Sequence, residues 1–211
     1  MAVKRKGSNI PTGKVNNVVI REVNGQQVTS GIGQRSKPPT KAELKNRDRF
    51  ALVNRLHKPV TEFIKVGFQL ITAGTTSNYQ NFAVKIKNPG ALILDSIYPE
   101  IDYSKAIFSM GNMPLIEKVN IQVSDRGLDF DWDPNWKLKG TKDSDRVMLL
   151  ACCPAMGTAY FVLDGEKRSV GKDKLEILHF KEKVILHTYV AFIAADRKSI
   201  STSIYTGEIL Y

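Results

Sequence analysis

The sequence predicts a mainly β protein: a basic N-terminal arm, a β-hairpin and a helix, followed by an immunoglobulin- or fibronectin-like β-sandwich. Three observations predict it. About seven short β-prone runs, separated by turn residues, fill roughly the last 100 residues, which is the count and spacing of such a sandwich. Asn24-Gly25 stands between two further β-prone runs near the front, the pairing that most favours a two-residue hairpin turn. Thr40-Lys-Ala-Glu43 opens a stretch with apolar residues at spacings of three and four, the mark of a capped amphipathic helix.

Residues 1–39 read as a basic arm and hairpin. Residues 1–13 are polar, with Gly7, Pro11 and Gly13, and offer too little apolar surface to offset ordering entropy, so they are expected to lack fixed structure alone. The ribbon is expected over residues 15–30, too short to stand by itself and suited to adding its edge to another sheet. Residues 40–111 read as a helix plus short strands. Phe50, Val53, Leu56, Val60, Phe63 and Ile64 form the apolar stripe, Lys41, Lys45 and Arg49 are expected on a different face, and Pro59 should kink or restart the helix near His57. Strands are expected over 82–87, 91–97 and 101–110.

Residues 112–211 read as an independent sandwich. Its strands are placed at 119–123, 128–132, 146–152, 159–163, 175–177, 185–194 and 200–204, with Trp132, Tyr189 and Phe192 buried. A fragment of these residues is expected to melt cooperatively.

The charge is unevenly divided. Residues 1–60 hold 13 of the 31 Lys and Arg but only 3 of the 21 Asp and Glu, so the whole excess of +10 lies there and the remainder is balanced. Such asymmetry points to an anionic partner. Lys4, Arg5 and Lys6 on the arm, with Lys41, Lys45 and Arg49 on the helix, are the expected contact residues. Trp136, in the polar segment 133–140, is an exposed aromatic placed to anchor a protein partner.

No residue set points to catalysis or a cofactor. Asp125, Asp129, Asp131 and Asp133 imitate a calcium loop, but Pro134 stands where the loop needs glycine and Gly140 where it needs glutamate. Asp129, Asp131 and Asp133 therefore read as the solvent face of a strand. His57, His179 and His187 lie on separate elements without metal-ligand spacing, and His187 reads as a partly buried strand residue. Cys152 and Cys153 follow an apolar run and read as reduced core thiols; a Cys-His pair would have to form in space. Gly31-Ile-Gly33 lacks the third glycine of a nucleotide-binding loop. There is no secretory signal and no apolar run of the roughly 18 residues a membrane span needs.

Several runs carry a resemblance: Thr12-Gly-Lys-Val-Asn-Asn-Val-Val, Arg49-Phe-Ala-Leu-Val-Asn-Arg, Ile101-Asp-Tyr-Ser-Lys with Met113-Pro-Leu, and Ala194-Ala-Asp-Arg-Lys before Ser203-Ile-Tyr-Thr-Gly. In this order, from Gly13 to Gly207, the chain resembles an uncharacterised family of Bacteroidota and their phages. Members share an N-terminal hairpin, an Arg-Phe-Ala helix and a β C-terminal half. The family tends to a glycine-rich opening where this chain has Ser8-Asn-Ile-Pro-Thr12, which implies a different docking of the arm. The resemblance implies a bacterial or phage origin and supplies no catalytic residue. The function expected is a structural component of a large assembly such as a virion, with itself or other virion subunits as partners. A nucleic-acid-binding accessory protein is the alternative. The expected location is the cytoplasm of the producing cell or the virion itself.

Overall fold

A computed structural model of the chain describes residues 2–4, 11–23, 26–34, 36–75, 77–93, 100–114, 116, 118–134 and 138–211. The chain is mainly β and divides into two compact units, Met1–Glu43 and Leu44–Tyr211.

In the first unit, strands β1 (Ala2–Lys4), β2 (Pro11–Val15), β3 (Val18–Val23) and β4 (Gln26–Gly31) form an antiparallel meander in that order. Val15 pairs with Val18, leaving Asn16-Asn17 as a two-residue turn, and Asn16 takes the left-handed φ of 49° that such turns require. Val23 pairs with Gln26, the register a two-residue connection imposes, while Asn24 and Gly25 themselves lie outside the described residues. The expectation of structureless residues 1–13 is revised: Ala2–Lys4 and Pro11–Gly13 belong to the sheet. Pro11-Thr-Gly-Lys-Val carries no apolar alternation, so its order comes from backbone pairing with β3, and Asn16-Asn17 was the sequence signal for it.

Helix α1 (Lys41–His57) opens on the expected reciprocal cap. Thr40 N–H donates to Glu43 Oε2 at 2.7 Å and Glu43 N–H donates to Thr40 Oγ1 at 3.3 Å. Pro59 ends it, as expected: a 3-10 turn spans Lys58–Val60 and α2 (Thr61–Thr72) follows. The expected strand at 82–87 is instead part of α3 (Tyr79–Gly90). Asn78 Oδ1 caps it by accepting from Asn81 N–H at 2.8 Å, and Tyr79, Phe82 and Ala83 turn one helical face toward α2, with Phe82 edge-on to Phe68. The alternation of Phe82-Ala-Val-Lys gave way to this tertiary contact. The expected strand at 101–110 shrinks to Glu100–Ile101 (β6), paired with Leu92–Ile93 (β5), and a 3-10 turn at Tyr103–Lys105; of the strand expected at 91–97, residues 94–97 lie outside the described residues.

The second unit continues with β7 (Val119–Ser124), β8 (Gly127–Trp132), β9 (Arg146–Cys153), β10 (Thr158–Val162), β11 (Lys172–Glu176), β12 (Ile185–Ile193) and β13 (Ile204–Leu210). These form two antiparallel sheets, ordered β11-β8-β7 and β10-β9-β12-β13. The last strand lies later than the expected 200–204. Gly207 interrupts the run that forms it, and the β12–β13 register shifts at Thr188/Tyr189 nearby, so the pattern reads as a break although pairing continues.

Successive strand residues point to opposite faces, and both faces of the four-stranded sheet are buried. Val147, Leu149, Ala151, Cys153, Val190 and Phe192 join Leu128, Phe130, Trp132 and Leu175 of the three-stranded sheet in one core. Met148, Leu150, Cys152, Tyr189, Ala191 and Ile193 join Leu56, Val60, Phe63, Ile64, Phe68 and Phe108 in another. This double burial is why Val147–Cys153 is an unbroken apolar run. Trp132, Tyr189 and Phe192 are buried as expected, with Tyr189 and Phe192 on opposite faces. Gly67 of α2 lies against Phe108 and Ser109 so closely that a Cβ there would collide with the Phe108 carbonyl oxygen, and Met110 N–H donates to Gly67 O at 3.1 Å.

Candidate interaction surface

Helix α1 changes character along its length. Val53, Leu56 and His57 near its end are buried, whereas residues 41–48 are all exposed and Phe50 is half exposed. The expectation that Lys41, Lys45 and Arg49 occupy a face of their own is corrected by helical geometry. Val53 follows Arg49 by four residues and Leu56 follows it by seven, so the cations continue the same face that is buried further along. One helix face thus carries cations in its first turns and core residues in its last. Lys41 and Lys45 are exposed; Arg49 is half-buried, and its Nη1 donates to Asn46 Oδ1 at 3.5 Å.

The other expected contact residues are placed differently. Lys4 lies on β1, next to the two-residue basic pair; Arg5, Lys6 and Trp136 lie outside the described residues. Within the first unit every described side chain is exposed or half-buried, including Val15, Val28 and Ile32, and none is buried.

The acidic cluster has a structural explanation. Asp129 and Asp131 stand on the outer face of β8, directly opposite Lys174 and Lys172 of β11, with Lys174 Nζ 4.0 Å from Asp129 Oδ1. Among the described residues no group of three or more His, Cys, Asp or Glu side chains converges on one point.

A cleft of about 390 Å³ opens between the end of α1, β6 and the β9–β10 turn, with Arg55, Leu56, Glu100, Tyr103, Cys152 and Pro154 in its wall. No linear signal announced it, because three separated segments supply its wall. Burial pushes the Tyr103 phenol up to about 12, with the nearby Cys152 thiol adding to the effect and Arg55 opposing it, so at neutral pH it remains a proton donor. Behind it, His187 is the cross-strand partner of Cys152. Its ring stacks on Tyr103 at 4.0 Å, and Nδ1 lies 3.1 Å from the Tyr205 hydroxyl. Burial holds the imidazole below its ordinary range of about 6.5, although the Glu208 carboxylate pulls the other way. Cys152 and His187 therefore share a cross-strand position, but the imidazole is engaged by two tyrosines, and Tyr103 rather than His187 lines the cleft.

A family model described as a family of unknown function, DUF6266, matches residues 10–207, which is nearly the whole chain. The chain belongs to DUF6266. The match spans parts of both units, from before β2 to Gly207 in β13. No curated protein and no solved structure matches this DUF6266 chain. No helix of this DUF6266 chain, among the described residues, is long and apolar enough to cross a membrane.

Proposed function

We propose that this DUF6266 chain is a non-catalytic structural or interaction protein, a capsid- or tail-associated component of an assembly such as a phage virion, docking through its basic N-terminal part. The observation that carries this reading is the bare first unit: four paired strands in which none of the described side chains, those of β2, β3 as far as Glu22, and β4, is buried. A small sheet in water needs a covered apolar face, and a neighbouring subunit supplies that cover. The cationic first turns of α1 add a contact for an acidic surface on the same neighbour.

The body supports the same reading. Its seven strands read as a fibronectin-like sandwich, since the fourth strand, β10, joins the sheet of the third, and such sandwiches commonly serve as non-catalytic surface modules. The tyrosine engagement of His187 speaks against a working Cys-His nucleophile. The quoted sequence runs, similar to those of Bacteroidota and phage proteins, support a virion setting and a location in the producing cell or its particles. The concentration of all excess charge in residues 1–60 favours one second reading, a nucleic-acid-binding accessory protein.

The variant Lys41→Gln/Lys45→Gln/Arg49→Gln separates the two. Under the assembly reading it is expected to lose most of its co-sedimentation with native particles while binding duplex DNA as weakly as the parent. Under the nucleic-acid reading the parent binds DNA tightly, and the variant's salt dependence flattens by roughly 2–3 in slope. Undiminished co-sedimentation of the variant would remove the helix from the docking surface.

A further inference from the structure

We infer that the outer edge of β4 seats a second copy of this chain, β4 against β4, antiparallel about a two-fold axis through Thr29. This rests on the assembly reading and names one of its partners. β4 is the last strand of its sheet, and all six of its residues, Gln26-Gln-Val-Thr-Ser-Gly31, are exposed. Exposed edges are normally guarded by charge, proline or a bulge. Gln26–Gly31 contains no charged residue and no proline, and its pairing to β3 runs without a register shift. The opposite edge, β1, ends in Lys4 and runs directly into Arg5 and Lys6. Among the described residues β4 is therefore the edge left open to pairing.

The backbone fixes the register. Ile32 N–H donates to Asn17 O at 2.7 Å, so Asn17 and Ile32 form a hydrogen-bonded pair. Bonded and non-bonded pairs alternate along an antiparallel ladder, which makes Val19/Ser30, Arg21/Val28 and Val23/Gln26 the bonded pairs of this register. Gln27, Thr29 and Gly31 then turn their N–H and C=O groups outward. A two-fold axis through Thr29 sets Thr29 against the partner's Thr29 and Gln27 against the partner's Gly31, satisfying about six backbone bonds at once.

The side chains accept this arrangement. Threonines directly opposite each other are a favourable cross-strand pair. No charge meets a like charge along β4. Thr29 shares its face with Ile20 of β3, so the pairing extends the half-buried Val18 and Ile20 surface across both copies. Self-pairing is thus possible without any compensating group from another protein.

Sedimentation of the full chain over a concentration series tests this. The parent is expected to dimerise, and Thr29→Lys, which sets two ammonium groups face to face on the axis, is expected to be monomeric with the same melting temperature as the parent. Thr29→Cys is expected to form a disulfide-linked dimer on mild oxidation, whereas Gln26→Cys is not, because its counterpart lies about 20 Å away along the paired strands. A monomeric parent, a dimeric Thr29→Lys chain, or equal cross-linking at both cysteines would overturn the pairing. A monomeric parent that still enters particles leaves the docking reading standing; a dimer that enters none overturns the docking reading alone.

Discussion

Arg168→Met is expected to destabilise the protein by about 3–5 kcal/mol, because it strands a buried carboxylate. Arg168 and Asp145 are each about 1% exposed, and Arg168 Nε lies 3.6 Å from Asp145 Oδ2, an ion pair rather than a hydrogen bond. The guanidinium also stands 4.0 Å over the Phe192 ring and donates through Nη2 to Pro114 O at 3.2 Å. Burial raises the Asp145 carboxyl pKa despite the neighbouring Arg168, the first sign that desolvation outweighs the pair's attraction. Methionine fills much of the space but leaves Asp145, among the described residues, only the Lys142 N–H, at 2.8 Å, as a hydrogen-bond donor to its carboxylate. The melting temperature should fall by on the order of 10 °C. The deficit should narrow as pH drops through the raised Asp145 pKa, since protonation removes the unpaired charge. The double variant with Asp145→Asn should recover part of the loss at neutral pH. A deficit that is constant with pH would assign the role of Arg168 to packing on Phe192 instead.

The isolated fragment 112–211 is expected not to melt cooperatively, the reverse of what strand pattern alone suggests. Cutting at residue 112 removes Leu56, Val60, Phe63, Ile64, Phe68 and Phe108 from the outer face of the four-stranded sheet. Met148, Leu150, Tyr189 and Ile193, each at most 2% exposed, would meet water. At about 1.5–3 kcal/mol for each large side chain, the loss is comparable to the whole stability of an ordinary domain, about 5–15 kcal/mol. The cut also severs the bonds from Phe108 N–H to Ser203 Oγ at 2.8 Å and from Ser109 Oγ to Ser201 O at 2.9 Å. A chain beginning at Leu44 keeps both cores and should melt as the parent does. A cooperative, parent-like melt of 112–211 by circular dichroism would show that the helical layer is dispensable.

Local chemistry made much of this legible from sequence. The Thr40/Glu43 cap and the restart at Pro59 depend on neighbours in the chain, and both stand where the residues put them. Long apolar strands such as Val147–Cys153 were equally plain, but their sequence does not say what covers the second face. Sites that needed tertiary knowledge were misread. Phe82–Lys87 alternates well enough for a strand until Phe68 claims Phe82 for a helix face. The cationic and apolar stripes, by contrast, differ only by local geometry: Leu56 stands two turns after Arg49 and so shares its face. The cleft beside Tyr103 is built from three distant segments, and Asn16-Asn17 was overshadowed by the stronger Asn24-Gly25 signal.

The most direct test of the central claim compares the full chain with the chain beginning at Leu44 in the producing cells, by their recovery in the fraction of large particles. Both should melt cooperatively at nearly the same temperature, since both apolar cores lie within residues 44–211. The full chain is predicted to sediment with particles and the shortened chain to remain a free, folded protein. Equal recovery of the two in the particle fraction would contradict the account and move docking onto the second unit.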